Sequence, residues 1–256
     1  MRSIARLFCL VFLAIHAHAQ NPSFRDLTFQ GDLAAKNGNI AAAFKCYSAA
    51  EPLAHGNATN LCALTKNFCD LMYSTPSPSL QRTLAQQALT CSQAAVKTDP
   101  GNATAHICAA ICYAKNFPYA DNQTRVYYSR SIKSESEAAI SLDPRQDIAY
   151  YLLGRWNYGV ANMNFFYRGL VRIIYGGLPA ASNAEAVKDL EHAIALNPIR
   201  IIHHAELAKV YAAIGEKKLA HQELAKCAAL KPLDRDDAEA RAEANRELSA
   251  PAECSR

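Results

Sequence analysis

A recurring helix ending constrains this chain more than any other feature. Four segments stop in the same way, at Val96-Lys97-Thr98-Asp99-Pro100, Ile140-Ser141-Leu142-Asp143-Pro144, Ile194-Ala195-Leu196-Asn197-Pro198 and Ala229-Leu230-Lys231-Pro232. Proline ends a helix because it lacks an N–H and its ring clashes with the preceding turn. Successive prolines stand 44, 54 and 34 residues apart. The last spacing is the length of one two-helix repeat unit, and the longer ones leave room for insertions.

Composition points the same way. Of 256 residues 48 are alanine and only 10 are glycine. Alanine is the best helix former and is depleted in strands, so a β-sandwich or a doubly wound sheet with a Gly-rich loop is excluded. The alanines fall in a register: Ala43 and Ala50, Ala88 and Ala95, Ala110 and Ala139, Ala186 and Ala193, Ala208 and Ala220. These are positions where the helices of a pair approach closely, and Cys227 takes the last such slot.

The final unit, with His204, Leu207, Ala208, Tyr211, Gly215, Ala220, Leu224, Cys227 and Pro232, resembles the tetratricopeptide signature. The first repeats it with Gly31, Ala34, Gly38, Ala43, Tyr47 and Ala50. The expected fold is an all-α, tetratricopeptide-like solenoid of about five helix pairs with a concave inner face. The pairs are expected near 24–57, 58–101, 103–145, 147–199 and 201–233. A polar capping helix over 234–249 closes the single domain of residues 20–256. In the fourth pair the first helix is expected to run on through Asn164–Tyr175 until Gly176-Gly177-Leu178-Pro179 breaks it.

Residues 1–19 read as a secretory signal peptide. Arg2 and Arg6 form the charged start, Leu7 to Ile15 the apolar run, and Ala17-His18-Ala19 a cleavage site that leaves Gln20 first. The chain is therefore expected to be exported, periplasmic or secreted, with no transmembrane span after cleavage. An uncleaved N-terminal membrane anchor is the alternative. Export bears on the cysteines: Cys46, Cys62, Cys69, Cys91, Cys108, Cys112, Cys227 and Cys254 remain. An even number in an oxidising compartment permits disulfides; the other reading is that cysteine replaces alanine as a small buried side chain. The net charge of +4 gives no support for nucleic-acid binding, which needs a concentrated basic face.

From Asp147 to Leu248 the sequence resembles a particular family. Tyr151-Leu-Leu-Gly-Arg-Trp156, Tyr175-Gly-Gly-Leu-Pro179 with Ala181-Ser182, and Ala205-Glu-Leu-Ala-Lys-Val-Tyr211 are similar to the regulator of microtubule dynamics family. Those proteins are tetratricopeptide-like. The resemblance implies a non-enzymatic adaptor, associated in animal members with microtubules and spindle poles. The signal peptide sets this chain beside exported bacterial relatives, away from cytoplasmic tubulin.

The inner face of such a solenoid is lined by the first helix of each pair. It should present Ile148, Tyr151, Arg155 and Tyr158, then Ile202, Ala205 and Lys209, with Lys115 extending the row. Cations flanked by tyrosines suit an acidic peptide or a chain-terminal carboxylate. Against this stands a structural role, with Arg155 and Trp156 fixing the fourth helix by packing and an ion pair. Asn164–Tyr175 is amphipathic, with Phe165, Phe166, Leu170, Ile173 and Ile174 apolar and Arg168 and Arg172 more exposed. It reads as a membrane-surface or partner helix or, the stronger reading, as a helix packed across a neighbouring pair.

His203 and His204 are adjacent and point apart on a helix, so they are not metal ligands, and no metal or cofactor is expected. No H-E-x-x-H, G-x-S-x-G or P-loop pattern occurs. Asn57, Asn102 and Asn122 match the N-glycosylation acceptor pattern and also suit turns and helix caps. The expected function is an exported, non-enzymatic scaffold that binds a protein or peptide on its concave face. The alternatives are a lipid or small-molecule binding module between the fourth helix and its neighbours, or a microtubule-associated regulator.

Overall fold

The computed structural model describes residues 22–249. The signal-peptide reading, with its cleavage between Ala19 and Gln20, lies outside the described residues, as does Cys254. Twelve α-helices follow one another without a strand among the described residues: α1 (Phe24–Lys36), α2 (Ile40–Ala54), α3 (Ala58–Tyr73), α4 (Pro78–Thr98), α5 (Ala103–Asn116), α6 (Asn122–Leu142), α7 (Asp147–Ala161), α8 (Phe165–Tyr175), α9 (Asn183–Leu196), α10 (Ile201–Ala213), α11 (Lys217–Ala229) and α12 (Arg235–Ser249). Antiparallel pairs form between α1 and α2, α3 and α4, α5 and α6, α7 and α9, and α10 and α11, with α12 packed on α10 and α11. The architecture is an all-α, tetratricopeptide-like solenoid.

Local chemistry sets the helix limits. Ser23 and Asp26 form a reciprocal capping box at the start of α1. Asn39, Asn57, Ser77, Asn102, Asp121 and Ser182 each accept a backbone N–H of the following helix. Such caps satisfy donors that the first turn leaves open. Asn57 and Asn102 are thus capping residues, and Asn122 is the first residue of α6. At the far ends Asp99, Asp143 and Asn197 close α4, α6 and α9 just before Pro100, Pro144 and Pro198.

The alanine register is the core. All ten alanines of that register are buried, none more than 6% exposed. Two glycines permit closer approach still. A Cβ on Gly31 would stand 2.3 Å from the Tyr47 ring, and one on Gly154 would stand 2.7 Å from Leu190 Cγ. Larger side chains, led by Phe68, Leu61, Leu64, Leu71 and Leu84, fill the space between α3, α4 and their neighbours. The seven described cysteines are free thiols, and Cys227 is fully buried in a cluster with Ile201 and Ala244. Cys62, Cys69, Cys91, Cys112 and Cys227 are buried as small side chains, whereas Cys46 and Cys108 are only partly so.

The fourth pair departs from expectation. Its first helix does not run on into Asn164–Tyr175 but stops at Ala161, and α8 begins afresh. Asparagines cause the break, because their side chains compete with the helical ladder. Asn162 donates from Nδ2 to Tyr158 O at 2.8 Å and to Asn183 Oδ1 at 2.7 Å. Asn164 then caps α8 by accepting from the Phe166 N–H at 2.9 Å. Nor does α8 pack across a neighbouring pair on its apolar side. Only Val171 is buried, while Phe165, Phe166, Ile173 and Ile174 are exposed.

Candidate functional site

The first helices of the pairs, α3, α5, α7 and α10, converge on one concave groove of about 890 Å³. Ile107 and Ile111 on α5, Ile148 and Leu152 on α7, and Ile202 on α10 give it an apolar floor. The same three helices contribute cations: Lys115, Arg155 and Lys209. The helix α12 also lines the groove, contributing Asp236, Glu239 and Glu243 along with Arg235.

Tyrosines organise the cations. Arg155 donates from Nη1 to Tyr151 Oη at 3.3 Å, and its guanidinium lies 5.5 Å from the same ring's centre. Glu206 sits between the two adjacent cations, 3.5 Å from Arg155 Nε and 3.9 Å from Lys209 Nζ. Between α5 and α3 Lys115 donates to the Tyr73 hydroxyl and stands 4.2 Å from its ring centre. Arg235 stands 5.1 Å from that ring centre and donates from Nη1 to Tyr73 O at 2.7 Å. Burial pushes both the Tyr73 and Tyr151 phenols above their ordinary value, so they stay neutral hydroxyls.

Of the residues expected on the inner face, Tyr151, Arg155, Lys115 and Lys209 line the groove, with Ile148, Ile202 and Ala205. Tyr158 does not. It lies one turn beyond Arg155, where its ring packs against the cluster of Ala186, Leu190, Leu207 and Val210. Trp156 is buried and donates from Nε1 to Ser129 Oγ at 3.0 Å, which ties α7 to α6. Phe165, Phe166, Arg168 and Arg172 contribute no wall to the groove.

Tyr73 and the acidic side of α12 were missed by sequence reasoning. Extending the inner-face rule to α3 would have found Tyr73. Nothing in the sequence signals that α12 folds over the groove, since Arg235 meets Tyr73 across 162 positions. The acidic residues of α12 also correct the expected ligand. Six basic and six acidic side chains line the groove, so a purely acidic peptide is not what it complements.

The histidines serve structure. His204 Nδ1 lies 2.6 Å from Glu223 Oε2, and His203 is wholly enclosed beside Asp147. Among the described residues no three His, Cys, Asp or Glu side chains gather as a metal would require. No helix among them is long and apolar enough to cross a membrane.

Comparison with known proteins fits this architecture. A tetratricopeptide protein of Thermus thermophilus superimposes with a TM-score of 0.58 at 19% identity, covering 88% of this chain and 100% of that one. MamA from Desulfovibrio magneticus does so with a TM-score of 0.51 at 15% identity, covering 91% and 100%. Regulator of microtubule dynamics protein 3 of Xenopus laevis is 27% identical over 195 residues, which is 74% of this chain and 41% of the relative. Protein 1 of Mus musculus is 26% identical over 148 residues, 57% of this chain and 48% of the relative. The chain thus matches less than half the length of these relatives. The family model for regulator of microtubule dynamics proteins 1-3 matches residues 27–251, nearly the whole described structure. The likeness reaches well beyond the Leu-Gly-Arg-Trp and Gly-Gly-Leu-Pro segments, and the chain belongs to the regulator of microtubule dynamics family.

Proposed function

We propose that this protein is a non-enzymatic scaffold that holds a protein or peptide segment in the groove between α3, α5, α7, α10 and α12. One observation carries the reading. The cations Lys115, Arg155 and Lys209 share the groove with the acidic Asp236, Glu239 and Glu243 of α12, around the apolar side chains of α5, α7 and α10. An extended peptide with apolar side chains and both charges complements all three surfaces. Neutral Tyr73 and Tyr151 offer contact area and hydroxyls for main-chain groups.

We place this activity outside the cytoplasm, after cleavage between Ala19 and Gln20, on the strength of Arg2, Arg6 and the apolar run that follows. The relatives' names connect them with microtubules, and export would separate this chain from that setting. Determination of the mature N-terminus tests the point, with Gln20 the expected first residue.

A displayed peptide library panned against the purified protein tests the groove. Enriched peptides should carry both charges and lose roughly tenfold or more in affinity on Arg155→Ala, as for a lost charge-assisted contact. Tyr151→Ala should do the same. Peptides that bind both variants unchanged would place recognition elsewhere.

A further inference from the structure

The helix α8 is built inside out. At 100° per residue Phe165, Phe166, Leu170, Ile173 and Ile174 share one half of its surface, with Val171 opposite. Val171 faces the protein and is 2% exposed, whereas Phe165 is 91% and Ile173 82% exposed. An ordinary surface helix turns its apolar side inward. Here the apolar side is presented to the surroundings.

The helix is firmly held in that attitude. Arg168 reaches back from Nη2 to Val160 O and Ala161 O, both at 2.7 Å, which satisfies carbonyls at the end of α7. Arg130 of α6 donates to Gly177 O at 2.6 Å just past the far end of α8. Gly176, at φ +76°, ends the helix in the left-handed region that glycine tolerates. Tyr167 and Tyr175 lie half-buried on the side toward the protein.

Charge identifies what this face meets. Between Asp147 and Glu185 the chain carries Arg155, Arg168 and Arg172 and no acidic residue. Arg172 is exposed and borders Phe165 on the helix surface. Arg168 is held by the α7 carbonyls and Arg155 lies in the groove, so Arg172 is the guanidinium at the rim of the apolar face. Apolar side chains projecting from a helix that carries such a charge and no acidic residue are the chemistry of an interfacial helix on an anionic bilayer. A second copy of the chain fits less well. An eleven-residue helix is about 16 Å long, and one face of it falls well short of the roughly 800 Å² per partner of a standard interface. Two such faces would also bring like charges together.

We propose that α8 is a peripheral membrane-docking helix, which seats Phe165, Phe166, Ile173 and Ile174 among the acyl chains of an anionic phospholipid leaflet with Arg172 at the headgroups. It would hold the solenoid on the bilayer with the groove, whose walls include no α8 residue, free for its ligand.

Flotation of the full chain with vesicles tests this. Vesicles of three parts phosphatidylcholine to one part phosphatidylserine should carry the protein up, and phosphatidylcholine alone should carry much less. Binding should weaken with added salt. The double variant Phe165→Ser with Ile173→Ser should lose roughly tenfold or more in partitioning. Arg172→Glu should lose binding to the anionic vesicles only. Phe165→Trp supplies a second readout, because the native tryptophan, Trp156, is buried; its emission should shift to the blue on anionic vesicles and nowhere else. Unchanged flotation of the double variant would overturn the proposal and assign membrane contact to another segment. Loss of a dimer in place of loss of flotation would assign the face to a second copy. Absence of a blue shift would overturn the proposal even if the serine variant folds poorly.

Discussion

His204 Nδ1 stands 2.6 Å from Glu223 Oε2 across the fifth helix pair, with both side chains buried. The other ring nitrogen lies 3.0 Å from Pro198 O. The third pair repeats the arrangement: His106 lies 2.5 Å from Glu135 Oε2 and 2.9 Å from Pro100 O. In both units the histidine follows the helix-ending proline by six residues, so one ring clamps the preceding turn to both helices of its pair. Glu223→Ala should therefore destabilise the protein by about 1–3 kcal/mol, since it leaves a buried ring nitrogen without a partner. Equilibrium urea unfolding measures this. An unchanged midpoint would leave the clamp without energetic weight.

Gly154 and Gly159 lie on the same helix and should respond in opposite directions. A Cβ at Gly154 would meet Leu190 Cγ at 2.7 Å and Ala186 O at 3.2 Å, where α7 and α9 press together. Gly154→Ala should cost about 1–3 kcal/mol through overpacking, more than the gain in helix propensity returns. Gly159 has nothing within 4 Å of that position, so Gly159→Ala should stabilise by up to about 1 kcal/mol. Thermal unfolding of the two variants side by side separates packing from propensity.

The contrast between these glycines shows which features were legible in sequence. Prolines, caps and small residues repeat locally, so they report helix ends and close approaches; the alanine register and the inner-face residues Tyr151, Arg155, Lys115 and Lys209 followed from that repetition. The break at Asn162–Asn164 was obscured because the apolar pattern continues through it, and only side-chain capping reveals two helices. Tyr158 shares a helix face with Tyr151 and both rings pack against the α9–α10 cluster, but only Tyr151 also reaches the groove. The acidic contribution of α12 to the groove depends on superhelical closure, which no local pattern encodes.

His203 gives the protein an acid-sensitive joint. Its ring is fully buried and neither nitrogen has a hydrogen-bond partner. Burial pushes its pKa down to about 4, with Arg200 and His204 acting in the same direction and Asp147, 3.6 Å away, opposing. The folded protein then holds His203 neutral while the unfolded chain takes up a proton below its ordinary value near 6.5. Stability should therefore be greatest above about pH 6.5 and fall as the pH drops toward 4. Urea midpoints between pH 7 and pH 4 should follow that course, and His203→Leu should flatten it. A midpoint that falls equally in the variant would assign the effect to other groups.

Cys227 should be chemically silent. Its Sγ lies 3.7 Å from Ile201 O in a fully enclosed site, and burial, with nearby Glu223, pushes the thiol up to about 12. Since the thiolate is the reactive form, native protein at neutral pH should leave Cys227 unmodified by iodoacetamide while denatured protein reacts. Cys227→Ala should cost only about 1 kcal/mol, the value of a small buried side chain. Rapid native labelling, located by peptide mass, would contradict the enclosed site.

Arg235 latches the C-terminal helix across the groove. Its Nη1 donates to Tyr73 O at 2.7 Å, and its guanidinium sits 5.1 Å from the centre of a tyrosine ring that Lys115 also contacts. This contact joins α12 to α3, with Asp236 beside the Tyr73 hydroxyl, whereas the main packing of α12 is on α10 and α11. Arg235→Ala removes the crossing contact but leaves that support in place. Amide exchange in α12 and at the end of α3 should quicken several-fold, corresponding to roughly 1 kcal/mol of lost protection. Exchange in α1 and α2 should stay as it was. A variant with unchanged exchange at Tyr73 and α12 would show that packing on α10 and α11 alone holds the helix over the groove.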